Sequence, residues 1–425
     1  MNLPTLQTRP EMRRPHRASP NLGLAPVSKA LTVCLAVVPG LAMLSAWNPS
    51  ALSSIVVEMS AFVLAIICLG REWRRPAPFH ISQLLLSAAL IPAIGCFQLL
   101  ALRTAYPFAT LRAVLYWSAV TAMVLAGEWL LRLRKARSLL LASAAGLGLV
   151  ATAMEILQIY GNRRYQVLKT GYPLLSSNYY AEIVELVLPV VLTRAFRDSR
   201  HWWAHLVLAC LFVSTVIASA ARVGSVLVLL ECIVVAGLSY KQSKSMPRRW
   251  HKTCVTLVLV AAGLVVLQGP VTLIHRLGEA DLMAGRSDIG RSAVAMVRSR
   301  PLTGYGLGSF SVVYPAFARF DNGYFVNHAH NDWLEALTDG GPVLLAALTA
   351  FVLVSAYFGV RATWGLGLAV LPLHAAVDFP MQRAGVVLLY AGIAAAASAR
   401  CHQRKRTVSK WHYLRVSRYH ISASK

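Results

Sequence analysis

Nine residues, Asn327-His328-Ala329-His330-Asn331-Asp332-Trp333-Leu334-Glu335, hold two imidazoles, two amides and two carboxylates ahead of a segment apolar enough to cross a membrane. Imidazole is the side chain whose proton exchanges near neutral pH, so these histidines are candidates for acid–base work. Asp332 followed by Glu335 has capping-box spacing, which predicts a helix starting there. His330 then stands just ahead of a helix N-terminus, whose positive end disfavours imidazolium. A neutral imidazole is what a general base must be. Two other readings stay open. His328 and His330 also suit a plain role as interfacial polar groups, and His-x-His with Asp332 offers metal ligands, with no third ligand evident.

The cations come next. Arg222, in Ser219-Ala220-Ala221-Arg222-Val223-Gly224, falls in a connection so short that it must sit at a membrane interface. Arginine there is costly, which marks either a functional group or a side chain snorkelling to lipid phosphate. The same face offers Arg163, Arg164, Lys169, Arg286, Arg291, Arg298 and Arg300. Guanidinium forks suit phosphate oxygens, so the implied ligand is a lipid-borne phosphate or pyrophosphate. The run Gly304-Tyr305-Gly306-Leu307-Gly308-Ser309-Phe310 lacks the lysine and serine of a P-loop and reads by default as a tight turn. The outer loops hold no Asp-x-Asp pair that would fix a divalent ion on phosphates, so arginines must balance that charge and no cofactor is expected.

The elements that must carry these residues are membrane helices. Of the 425 residues, 56% are apolar and 14% charged, with mean hydropathy +0.55. This is the profile of a polytopic membrane protein. About twelve windows reach the roughly 20 apolar residues that a span needs. The fold class expected is therefore all-α and polytopic. A polar basic N-terminus at 1–26, expected to be disordered, is followed by nine spans over 27–273. A long outer loop carries the motifs at 274–340, three more spans fill 341–399, and a basic tail occupies 400–425. Among the windows are 177–196, 202–220, 253–274 and 362–381. In the loop, Ser287 or Asp288 is expected to cap an amphipathic helix from Ile289 to Arg300, stopped by Pro301, with Arg286 just ahead of it. The net charge of +25 gathers mostly in loops that would face the cytoplasm if both termini do, as the positive-inside rule requires. The basic tail thus reads as an orientation and lipid-surface signal, and no nucleic acid is expected as partner. The first apolar run is too long for a cleaved signal peptide. None of the seven cysteines lies in the long loop, so no disulfide framework is expected.

Taken together, these residues resemble the O-antigen ligase and polymerase superfamily of bacterial membrane glycosyltransferases. His330-Asn331-Asp332-Trp333-Leu334-Glu335 with Gly340-Gly341 is similar to that family's His-Asn motif. Gly285-Arg286 leading to Pro301-Leu302-Thr303-Gly304-Tyr305-Gly306, and Ser219-x-x-Arg222, resemble two further motifs. Asn178-Tyr179-Tyr180-Ala181 and His374-Ala375-Ala376-Val377-Asp378 are softer echoes. The likeness covers roughly 178 to 395 and departs from the family pattern at Gly290 and Leu344. It implies a GT-C-like fold and transfer of a glycan from undecaprenyl pyrophosphate to an acceptor hydroxyl. The implied transfer is inverting, metal-independent and at the periplasmic face of the bacterial inner membrane. His330 would be the base, and Arg222 and Arg286 would grip the pyrophosphate. Arg291, Asn331, His328, Tyr305 and Asn178 would line the substrate site. The implied partners are the lipid-linked donor, lipid A–core or a growing glycan as acceptor, and membrane lipids.

Alternatives within the family are a polymerase or a protein O-oligosaccharyltransferase. A transporter or flippase is the alternative of another class, kept open by Glu58, Glu128, Glu155, Glu182, Glu185 and Glu231 inside apolar segments.

Overall fold

A computed structural model of the chain describes residues 26–47, 50–74, 81–164, 176–197, 200–242, 247–268, 281–319, 323 and 325–422. The N-terminal segment expected to be disordered lies, apart from Pro26, outside them. Every regular element among the described residues is helical. In order they are α1 (Pro26–Trp47), α2 (Ala51–Trp73), α3 (Gln83–Leu100), α4 (Pro107–Leu130), α5 (Arg134–Arg164), α6 (Ser177–Arg197) and α7 (Trp202–Ala218). They continue with α8 (Arg222–Gln242), α9 (Pro247–Gln268), α10 (Asp281–Ser299), α11 (Phe310–Val313), α12 (Asp332–Gly359), α13 (Gly367–His374) and α14 (Ala384–Ser422).

Eight of these, α1 to α5, α8, α12 and the first half of α14, are long and apolar enough to cross a membrane. α7 and the Trp250–Val260 part of α9 are apolar but shorter. α6 carries Glu182, Glu185, Arg194 and Arg197, yet every residue from Tyr179 to Thr193 is buried. A helix buried all round that keeps two carboxylates must give them partners, because an unpaired charge there is costly. α6 packs against α5, α7, α8 and α13, and α14 packs against α1 and α4. These two helices form the centre of the bundle.

The window at 362–381 is not a span. It is a 3-10 turn at Thr363–Gly365, the short α13, a turn through 375–379, and a second 3-10 turn at Pro380–Gln382. The turn around Gly365 and the turn at 375–379 leading into Pro380 break what average hydropathy reads as continuous. This broken segment packs against α6 and α12 and supplies the floor of the candidate site.

Two expected helix starts also move. α10 begins at Asp281, so Arg286 lies within it rather than ahead of it, and Asp288 is not a cap but pairs with Arg291 one turn on, at 2.7 Å. No proline stands between 281 and 289, and the helix runs through Gly285. The start of α12 falls at Asp332 as expected, but its cap is Asn331, whose side chain accepts from the Leu334 N–H at 2.9 Å.

Candidate functional site

The loop ahead of α12 is fixed by its own polar groups. The Glu335 carboxylate turns back to accept from the Ala329 N–H (2.8 Å) and contacts His328 Nδ1 (2.9 Å). Asn331 spends its amide on the Ala376 carbonyl, 2.9 Å away. Asp332 gives its own N–H to Ala375 O and takes the Met381 N–H on Oδ2, both at 2.9 Å. The nine-residue stretch is thereby stapled to the turn at 375–381. His330, at the apex, adopts a left-handed φ of 52°. Such a conformation in a non-glycine residue is uncommon and points to an imposed geometry.

That geometry aims His330 at Asp378. Its Nδ1 lies 3.5 Å from Asp378 Oδ1, and its ring meets Phe379 edge-on at 5.0 Å. His328 stacks on the same Phe379 ring, centroids 4.4 Å apart. Asp378 is buried and surrounded. Asn178 donates to it, Arg383 Nη2 lies at 3.3 Å, and Arg286 Nη2 stands at 4.0 Å with Nη1 on the Val377 carbonyl (3.2 Å). Burial pushes the Asp378 carboxyl up, but contact with His330, Arg383, Arg286 and Asn178 outweighs it and holds the group below the usual carboxylate range. Asp378 sits in a turn outside the eight apolar helices, so a fixed carboxylate faces His330 there.

The charge on Asp378 is balanced from behind. Arg383 bridges Asp378 and Glu182 of α6, with its guanidinium over the Phe379 ring at 4.3 Å. One turn further along α6, Glu185 pairs with His374 at 2.7 Å. Glu182, His374 and Asp378 bring three possible ligand atoms within 4.8 Å of one another. They do not fit a metal ion, because the Arg383 guanidinium already joins two of them and His374 Nδ1 is engaged by Glu185. The His-x-His reading fares no better: Asp332 turns to Met381, and His328 to Glu335.

Of the residues singled out from sequence, His330, Arg286 and Asn178 converge on Asp378. Asn331 holds the loop in place. Arg222 is the first residue of α8, just after Ala220 in a left-handed conformation (φ 58°). α8 packs on α6 so closely that a Cβ on Gly224 would meet that of Ala181 at 2.4 Å. The first turns of the two helices therefore lie side by side, which puts Arg222 near the level of Asn178. Arg291 is paired with Asp288 and its side chain is 61% exposed. Tyr305 is buried against Ile289, Ala293 and Met296, with its hydroxyl on Ser299 and Arg300 above its ring. Tyr305 shares that apolar cluster with Ala329, the residue before His330, while Arg291 is held by Asp288. Lys169 lies outside the described residues.

The glycine run is a docking turn. Tyr305 and Gly306 N–H groups bond to Thr338 and Asp339 carbonyls, Leu307 N–H to Gln98, and Gly308 N–H to the Asp339 carboxylate. Those donors are spent inside the protein, not on phosphate. Sequence reasoning missed Arg383 altogether and treated Glu182 and Glu185 only as intramembrane carboxylates. Of the six such carboxylates, Glu58 faces Arg112, Glu128 takes the Ser398 hydroxyl, and Glu155 takes that of Ser177.

Residues 206–349 match the family described as O-antigen ligase. No curated protein matches the chain. The matched stretch runs from α7 into α12 and contains Arg222, Arg286 and His330, but not Asn178, Asp378 or Arg383. Over that stretch it supports the likeness to the O-antigen ligase/polymerase superfamily.

Proposed function

We propose that this protein transfers a glycan from undecaprenyl pyrophosphate to an acceptor hydroxyl at the periplasmic face of the inner membrane, with inversion and without metal. The observation that carries the reading is His330 aligned on a buried carboxylate, Asp378, beside the Arg286 guanidinium. In this reading His330 carries its proton on Nδ1, on the side of Asp378, which leaves the Nε2 lone pair for the acceptor. Nε2 takes the acceptor O–H proton as that oxygen forms its bond to the anomeric carbon. The bond from that carbon to the pyrophosphate oxygen breaks, and undecaprenyl pyrophosphate leaves with the electron pair. Asp378 stabilises the imidazolium that forms, as in other carboxylate–histidine pairs. Arg286 and Arg222 take up the charge growing on the leaving group.

We favour the ligase branch over a polymerase on the sequence expectation of one long outer loop ahead of α12. Deleting the gene and running the surface polysaccharide on a gel tests both levels. A ligase loss leaves bare lipid A–core and full-length glycan on undecaprenyl pyrophosphate. A polymerase loss leaves core capped with one repeat unit, or no exopolysaccharide. Complementation with His330→Ala is expected to restore neither pattern although the protein still accumulates in the membrane, whereas His328→Ala is expected to be milder. Full complementation by His330→Ala would remove the base assignment. An unchanged glycan profile on deletion would remove the function.

A further inference from the structure

Glu231 lies on α8, nine residues past Arg222 and so roughly 13 Å along the helix from its start. It is 0% exposed, and among the described residues no group donates a hydrogen bond to either of its oxygens. A carboxylate in the apolar interior is expensive, and one kept there marks a functional group by default. α8 packs against α6, α7, α9, α13 and the turn at 363–365. α6 sets Glu185 beside Glu231. α7 and α9 bring thiols, Cys210 and Cys254, near Cys232, the residue after Glu231. α13 brings His374, held by Glu185, and the turn at 363–365 carries no titratable side chain.

The cations of this core are spent elsewhere. Arg383 joins Asp378 and Glu182, Arg286 stands against Asp378, and His374 is engaged by Glu185. With His374 protonated, these groups balance Asp378, Glu182 and Glu185, and Glu231 is left over. A buried carboxylate without a cation takes up a proton rather than remain ionised. A metal ion matches less well. Hard cations take about six oxygen ligands or more, and of Glu231 and Glu185 only three oxygens, both of Glu231 and Oε2 of Glu185, lack a hydrogen-bond partner.

Glu185 connects this residue to the candidate site. Its Oε1 meets His374 Nδ1 at 2.7 Å, and the His374 carbonyl accepts from the Val377 and Asp378 N–H groups at 2.9 and 3.1 Å. The turn that carries Asp378 thus hangs on the residue that Glu185 holds. Beside a neutral Glu231, Glu185 answers to His374 alone. An ionised Glu231 puts a like charge next to it where screening is weak. The helices relieve that repulsion by parting or by admitting water, and either shifts His374.

We infer that Glu231 is a proton-binding site in the core of the bundle and that loss of its proton disables the Asp378 turn. The coupling to transfer rests on the transferase reading; the proton site itself does not.

The test uses the full chain in membranes and dicyclohexylcarbodiimide, an apolar reagent for protonated carboxyls. The carboxyl oxygen bonds to the central carbon of the carbodiimide, the carboxyl proton passes to its nitrogen, and the adduct rearranges to a stable N-acylurea. Mass spectrometry of the peptide carrying Glu231 is expected to show this adduct at neutral pH and to lose it as pH rises, equally in sodium chloride and in choline chloride. No adduct on Glu231 at any pH overturns the inference. So does an adduct indifferent to pH, or one that sodium suppresses, which would assign a metal cation. One pH unit above the midpoint of that loss, wild-type transfer is expected to lie about tenfold below its neutral value, whereas Glu231→Gln, uncharged at every pH, is expected to show no such fall. Coincident pH profiles for the two overturn the coupling. If the transferase reading itself were at fault, the titrating adduct would form and His330→Ala would leave the surface glycan unchanged. If only the proton site were misassigned, His330→Ala would abolish transfer and no titrating adduct would form.

Discussion

At the scale of the residue, what distinguishes His330 from the neighbouring His328 is its partner. His328 is tied to Glu335 of the helix that follows, a carboxylate already holding the Ala329 N–H, and serves to shape the loop. His330 faces Asp378, whose charge is fixed by Asn178, Arg383 and Arg286. Asp378→Asn keeps the size and an oxygen for Asn178 but loses the charge that orients and stabilises the imidazolium. Turnover is expected to fall about 100-fold with the protein still in the membrane, in line with the worth of positioned acid–base catalysis. Wild-type transfer in Asp378→Asn would uncouple the carboxylate from the chemistry. For the arginines, lysine preserves charge but not the fork. Arg222→Lys and Arg286→Lys are expected to lose at least about tenfold in transfer, with the wild type insensitive to EDTA. Chelator-sensitive activity restored by a divalent ion would assign the phosphate charge to a metal. His330 and Arg286 were legible because motif and chemistry agree locally. Asp378 was only an echo and Arg383 invisible, because their meaning lies in contacts with α6, α10 and the His330 loop that no local pattern encodes.

At the scale of the element, the site depends on helices that stop or bend. α12 breaks at Gly341, where φ is 62° and a Cβ would meet Leu302 O at 2.4 Å. Gly304, also left-handed, closes the same contact from the loop, where a Cβ would meet the Asp339 carbonyl carbon at 2.5 Å. The loop and the kink are thus built around two missing side chains. Gly341→Ala must move the 301–308 turn off Asp339 or straighten α12, either of which shifts Glu335 and the His330 loop. The left-handed strain alone is of order 1–3 kcal/mol. Reduced thermal stability in detergent together with lost transfer is expected, and a variant equal to wild type in both would mean that the kink does not position the loop. The start of α12 and the turn at the glycine run were readable from capping residues and glycines. The broken segment around α13 was not, because a window average counts apolar residues and ignores where proline and glycine interrupt their hydrogen bonds.

At the scale of the whole molecule, burial and charge divide the labour. α6 and the first half of α14 are sheathed by helices whose outer faces carry the exposed apolar side chains, such as Ile55, Val63 and Ile66 on α2. That is the arrangement of a bundle whose solvent is lipid: polar pairs inside, apolar residues outside. Composition alone made the membrane bundle legible. The number of crossings was not, since the 362–381 segment has the average hydropathy of a span but is broken into short turns. The positive-inside pattern predicts that the site faces the periplasm, and the proposed reaction depends on it. Reporters that read sidedness, fused after Arg134, Lys244 and Arg406, are expected to signal cytoplasm. One at Asn322, shortly before the His330 loop, is expected to signal periplasm. A cytoplasmic signal at Asn322 would put His330 and Arg286 on the face where no polymerised donor waits, and the transferase reading would fall with them.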